Sequence, residues 1–219
     1  MHRSATKLYK THGNHTQEPT MPKFSIILPA HNAAEYIRKA LDSIQAQTFK
    51  DYELIVICDS CTDDTALIAR EYTDKVLEVG FSMSGPTRNA GLDAATGEWI
   101  LFIDDDDWWM HEFVLEQISG QLDECDLLCF GFIWKWRGYT SPVRPGGIYW
   151  PAPWTKAWRR EAIGETRFPA AYPDDLLFHN EMMTKFLRIK TWEMPLYYYN
   201  YWRKGSISER LEPDLRFYR

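Results

Sequence analysis

No stretch of this 219-residue chain is both long and apolar enough to span a bilayer. Its first twenty residues are polar, with His2, His12 and His15 and no apolar core of a secretory leader. A membrane span is therefore not expected, and a cytoplasmic location is. Positive charge is also short: 25 Lys and Arg face 31 Asp and Glu, a net charge of −6. That balance speaks against nucleic acid as the main partner, because a phosphate backbone asks for a basic surface. Glycine-rich phosphate loops are missing, with neither G-x-G-x-x-G nor a Walker A run. Cysteine is scarce. Cys58-x-x-Cys61 has the spacing of a redox or zinc pair, which Cys125 and Cys129 would complete. The stronger reading takes these four as small buried hydrophobes, since Cys58 ends an apolar run and Cys129 lies inside another. No tryptophan precedes Trp99, although the chain holds 10. Repeats and low-complexity segments are absent.

What is present centres on Glu98–Trp109. Trp99 to Ile103 is a continuous apolar run, as in a strand buried on both faces. It ends in four carboxylates, Asp104 to Asp107. The C-terminal edge of an open α/β sheet is where ligands bind. Adjacent acids there resist desolvation and ask for a hard divalent cation such as Mg²⁺ or Mn²⁺. The competing reading is an acidic turn.

Apolar strands are expected at Phe24–Leu28, Tyr52–Cys58 and Val76–Val79. Between them, Ile37, Leu41 and Ile44 recur at helical spacing behind a capping box, Asn32-x-x-Glu35. Thr62 or Asp63 caps a helix reaching about Tyr72, and Ser84-Gly-Pro86 opens another that Gly97 terminates. Strand and helix thus alternate four times by residue 110, which predicts a mostly parallel, doubly wound α/β sheet. Beyond it, residues 111 to 122 read as a helix and Asp126–Trp136 as a strand with Phe130, Phe132, Trp134 and Trp136 on one face. Residues 137 to 155 read as a loop, Trp154–Ala162 as a short helix, Asp174 onward as a helix, and Leu196–Tyr201 as a last strand. We expect one domain over residues 22–208, with a nucleotide-binding half (22–110) and an acceptor-binding half (111–208), between tails 1–21 and 209–219.

The chain resembles family 2 glycosyltransferases of the GT-A fold. The resemblance rests on Phe24-Ser-Ile-Ile-Leu-Pro-Ala-His-Asn32, Leu41-Asp-Ser-Ile-x-x-Gln-Thr-Phe49, Glu53-Leu-Ile-Val-Ile-Cys-Asp-Ser-Cys-Thr-Asp63 and Arg88-Asn-Ala-Gly91. It continues through Gly97–Trp108, Trp154-Thr-Lys156 and Asp174-Asp175-Leu-x-Phe178. It implies transfer of a sugar from a nucleotide donor, here a UDP-sugar, to an acceptor hydroxyl with inversion. The acceptor would be a saccharide or a lipid-linked saccharide in glycan biosynthesis. By the same resemblance, Pro29, His31, Asn32, Asp59, Arg88, Asp104 and Asp105 meet the nucleotide, with Asp59 accepting a base N–H. Asp104, Asp106 and Asp107 hold Mn²⁺ or Mg²⁺, and Asp175 is the general base. A carboxylate base suits an acceptor hydroxyl, which is a poor nucleophile until it loses its proton.

Departures from the family pattern are local. Cys58 and His31 replace an Asp and a Tyr, Asp174 replaces a Glu, and Tyr199-Asn200 stands where Tyr-Arg is usual, with Arg203 nearby. Trp134, Trp136, Trp150 and Trp154 are candidates for a sugar-stacking wall or for ordinary core. His179, one turn after Asp175, is a candidate for the metal or for the core. The alternatives to a glycan-building enzyme are an inert nucleotide-sugar-binding module and a transferase acting on a modified nucleobase or a protein.

Overall fold

The computed structural model describes residues 21–136, 139–140, 150–185 and 187–200. The N-terminal tail, most of the 137–155 loop, Arg203 and the C-terminal tail lie outside the described residues.

Four strands alternate with three helices as expected: β1 (Phe24–Ala30), α1 (Ile37–Gln45), β2 (Tyr52–Asp59), α2 (Thr65–Ala69), β3 (Val76–Val79), α3 (Ser84–Ala94) and β4 (Trp99–Phe102). The strands pair in parallel in the order β3-β2-β1-β4, with Phe24 level with Tyr52 and Trp99. All four residues of β4 and six of the seven in β1 are buried. Coverage on both faces removes any need for polar alternation. The crossover direction reverses between β2–β3 and β4. Right-handed connections therefore send α3 to the face opposite α1 and α2, and open a crevice at the β1/β4 strand ends.

α3 lies close on β1 and β2 because of Gly91. A Cβ at that position would stand 2.3 Å from Ile27 Cγ2 and 2.9 Å from Ile57 Cδ1. Gly97 does not end α3, which stops at Ala94. Its missing side chain instead admits β1, since a Cβ there would fall 2.6 Å from the Ser25 nitrogen.

The second half comprises β5 (Trp108–Trp109), α4 (Val114–Ser119), β6 (Leu127–Trp136), β7 (Tyr139–Thr140), β8 (Lys156–Arg159), α5 (Arg160–Ile163), α6 (Asp174–Met183) and β9 (Ile189–Tyr199). It extends the sheet as β4-β8-β6-β9-β5, with β7 paired to β6. Three further sequence expectations are corrected. The helix expected over Trp154–Ala162 is a 3-10 turn at Pro153–Thr155, then strand β8, and only then α5. β8 is antiparallel to both β4 and β6, so Lys156, Ala157 and Trp158 are all buried and no period-two pattern marks it. The expected capping box is absent too. α1 begins at Ile37, and Asn32, in the left-handed region at φ 47°, accepts the Thr62 amide at 2.8 Å. Its side chain is spent between two loops, not on a helix end. The third correction is length: α2 is five residues, ending at Ala69.

Among the described residues no helix is long and apolar enough to cross a membrane.

Candidate active site

Three strand ends meet at the crevice, and His31 joins them. Its backbone N–H donates to Asp105 Oδ2 (3.1 Å) and its ring Nδ1 to the Asp59 carbonyl (2.7 Å). The loops after β1 and β2 are interlocked further: Ala33 N donates to Thr65 Oγ1 (2.7 Å) and Ala34 N to Asp63 Oδ2 (3.0 Å). Pro29, inside β1, is part of the rigid lead-in.

Asp59 is 5% exposed and satisfied by its own chain. Oδ1 accepts Phe81 N (2.8 Å), Ser82 N (2.8 Å) and Ser60 Oγ (3.0 Å); Oδ2 accepts Met83 N (3.1 Å) and Thr87 Oγ1 (2.6 Å). Burial opposes its charge, but these donors outweigh burial and hold the carboxyl below its usual range. A carboxylate offers about four lone-pair sites, so five donors leave none for a base N–H. What Asp59 visibly does is shape residues 81–83, where Ser82 is left-handed at φ 53°.

Arg88 projects from α3 beneath the acid run. Nη1 donates to Asp174 Oδ2 at 2.6 Å, and Nη2 stands 3.7 Å from Asp104 Oδ1. Asp174, itself buried, also accepts Ser84 Oγ at 2.6 Å. Its neighbour Asp175 is less committed: among the described residues its carboxylate accepts the Leu176 amide (2.8 Å). Asp175 lies within electrostatic range of Asp104, Arg88 and Lys156.

The four acids divide by direction. Asp104 faces Arg88. Burial pushes its carboxyl up to about 6, with Arg88 opposing and Asp106, Asp175 and Asp174 adding to the rise. Asp105 receives His31. Asp106 lines a cavity of about 340 Å³ with Glu35, Tyr36, Lys39, Trp108, Tyr198 and Asn200. Asp107 is fully buried, and its oxygens accept Tyr197 OH (2.6 Å) and Asn200 N (2.7 Å). Burial and the neighbouring Asp106 and Asp104 push its carboxyl well above the ordinary range.

Among the described residues no group of three or more His, Cys, Asp or Glu side chains is arranged to hold a metal. That sets aside a zinc site on the four cysteines, all of which are free thiols. At the acid run the donors on offer to a cation are carboxylate oxygens, those of Asp104 and Asp106 among them. This donor set fits Mg²⁺ or Mn²⁺, which use one or two carboxylates plus phosphate oxygens.

Trp154 is 5% exposed and stacks on Tyr197 (4.6 Å between centroids, 13° between planes), so it belongs to the core. Trp150 packs on Phe132, Trp134 is half-buried, and the Trp136 side chain lies outside the described residues. His179 is buried in α6. Two residues that sequence reasoning did not single out are central. Lys156 is fully buried, its ammonium on the Trp150 and Ala152 carbonyls and Thr155 Oγ1, with burial lowering it to about 8. Tyr197 is the other, and its position in an aromatic run hid it.

A parallel β3-β2-β1-β4 half extended by a mixed second half, with acids at the β4 edge, defines a GT-A-type nucleotide-sugar fold. Residues 25–172 match the family described as Glycosyl transferase family 2, and the chain belongs to that family. Over 112 residues it is 35% identical to the putative glycosyltransferase EpsH of Bacillus subtilis, covering 49% of this chain and 33% of that one. Over 109 residues it is 39% identical to the GalNAc(5)-diNAcBac-PP-undecaprenol beta-1,3-glucosyltransferase of Campylobacter jejuni (47% and 33%). The solved structure of S. aureus TarS 1-349 in complex with UDP-GlcNAc superposes with a TM-score of 0.74 at 27% identity, over 85% of this chain and 60% of that one. The chain thus spans about a third of these two curated relatives and 60% of the TarS fragment.

Proposed function

We propose that residues 22–208 form a metal-assisted, inverting glycosyltransferase. It moves one sugar per cycle from a UDP-sugar to a hydroxyl of a saccharide or lipid-linked saccharide, in the cytoplasm and in glycan assembly. The observation that carries this reading is the division of labour in Asp174-Asp175. Arg88 and Ser84 occupy Asp174, which leaves Asp175 beside the Asp104–Arg88 group as the acid available to an acceptor. The match to a structure holding UDP-GlcNAc supports the donor class.

Asp175 would take the acceptor proton as the hydroxyl attacks, and a single in-line displacement inverts the anomeric centre. Arg88, next to Asp104, stabilises charge that develops on the leaving diphosphate. Asp104 and Asp106 would hold Mn²⁺ or Mg²⁺, which neutralises the diphosphate when bound. His31 keeps the three strand ends in register, and Asp59 shapes the 81–83 wall by which the base would be recognised. Asp107 serves from the interior, through Tyr197 and Asn200.

Titration calorimetry with UDP, GDP and dTDP, with and without Mn²⁺, on wild type and Asp106→Ala tests the donor half. Mn²⁺-dependent binding of UDP, lost in the variant, is expected; no binding of any nucleotide by folded protein overturns the reading. Asp175→Asn should abolish turnover of the sugar nucleotide while keeping UDP affinity. Unchanged turnover would remove Asp175 as base.

A further inference from the structure

The hydroxyl of Tyr197 bridges the two ends of the acid run. It accepts the Asp104 backbone N–H at 3.1 Å and donates to Asp107 Oδ2 at 2.6 Å. Asp107 N in turn donates to the Asp104 carbonyl at 3.2 Å, closing residues 104–107 into a turn. The other Asp107 oxygen accepts the Asn200 amide at 2.7 Å. Tyr197 is fully buried, and its ring is fixed independently by the stack on Trp154.

We infer that Tyr197 is a positioning residue for the metal-holding acids, acting through the Asp104–Asp107 turn; this rests on the glycosyltransferase reading above. One hydroxyl that both donates and accepts sets both ends of a four-residue turn. The side chains that it does not touch, Asp104 and Asp106, then leave the turn in set directions, one toward Arg88 and one into the 340 Å³ cavity. Two adjacent acids separated by a flexible turn would repel and splay. Held by the turn, each keeps its own direction before a divalent ion and a diphosphate arrive. Groups that orient metal ligands from behind typically change metal affinity 10- to 100-fold when removed. The arrangement also spans the two halves of the fold. The acids sit at the end of β4, while Tyr197 and Asn200 come from the end of β9, 90 and 93 residues on.

Tyr197→Phe deletes the hydroxyl and keeps the stacked ring. In wild type, Asp107→Asn, Tyr197→Phe and the double variant, Mn²⁺ binding in the presence of UDP is followed by calorimetry and by the free-Mn²⁺ electron spin resonance signal. Urea midpoints are recorded alongside. Tyr197→Phe is expected to weaken Mn²⁺ binding by roughly 10- to 100-fold. Asp107→Asn, which disturbs only one of the two hydrogen bonds of the hydroxyl, should lose no more than that, and the double variant no more than Tyr197→Phe, since the Asp107 effect runs through the same hydroxyl. Additive losses would overturn the assignment, as would a much larger loss for Asp107→Asn, which would make Asp107 a direct ligand. Unchanged Mn²⁺ affinity in Tyr197→Phe, with wild type metal-dependent, overturns this assignment alone. Wild type that binds UDP equally with and without Mn²⁺ overturns the metal reading as well. If Tyr197→Phe does not fold, Trp154→Phe, which loosens the ring and leaves the hydroxyl, carries the test: unchanged Mn²⁺ affinity would then count against it.

Discussion

Arg88 and Asp174 are 86 residues apart in sequence and 2.6 Å apart in space, a nearly buried ion pair that ties α3 to the start of α6. It brings the nucleotide-side helix and the helix bearing Asp175 to one place. Removing one partner of a buried pair costs about 3–5 kcal/mol, and Asp104, 3.7 Å from Arg88, offsets only part of the lost Asp174 charge. Asp174→Ala is therefore expected to lower the urea midpoint strongly at an unchanged slope. A loss below about 1 kcal/mol, the range of exposed pairs, would show that the pair is solvated.

The packing of α3 on the sheet has its own test. Gly91→Ala forces a methyl into Ile27 and Ile57 and should destabilise by about 1–3 kcal/mol or more. Gly80, where an added Cβ meets nothing within 4 Å, supplies the control. Gly80→Ala should be neutral or slightly stabilising in the same thermal melts; equal effects at both positions would refute the close approach of α3.

Acid sensitivity should centre on Glu53. It accepts the Thr96 amide (2.6 Å), the Thr96 hydroxyl (2.9 Å) and the Gly97 amide (3.1 Å), along with Ser25 Oγ and the Lys75 ammonium. Burial opposes its charge, and these partners overcome burial to hold the carboxyl at about 2. The folded value lies below the ordinary one near 4.5, so as pH falls the unfolded chain takes the proton first. Stability is whole above about 4.5 and declines as pH falls toward 2. Asp126, held at about 2 by Arg188, adds to the same window. Glu53→Gln should flatten part of the slope of unfolding free energy between those limits, and an unaltered slope would exclude Glu53 as a contributor.

Cys61 is expected to be the reactive thiol. Its contact with Cys58 lowers it to about 6 and pushes Cys58 up, while Cys125 and Cys129 are raised by burial. The thiolate is the nucleophile, so iodoacetamide at pH 7 should modify Cys61 first, by peptide mass mapping. Cys58→Ala should slow that reaction. Equal labelling of all four cysteines would contradict the pairing.

The parallel half of the sheet was legible in the sequence. Strands such as Trp99–Phe102 are covered on both faces and leave unbroken apolar runs, and their short, local connections make the order of elements a property of the sequence itself. The acid run was legible as a cluster that no core tolerates without cause, whereas Asp174-Asp175 stood out only through the family resemblance, since two acids at a helix start otherwise read as a cap. Strand β8 was not, because the residues of β4 and β6 that pair with it come from more than 25 residues away and bury even Lys156, which erases the pattern that marks a strand. The assignment of each acid was beyond the sequence too. Which carboxylate faces Arg88, which receives His31 and which is spent on Tyr197 depends on donors brought in from β1, α3 and β9. Composition determines that these carboxylates are present at one strand end. Only the tertiary contacts decide which of them remain available for chemistry, because a carboxylate's role is set by the donors already on its lone pairs.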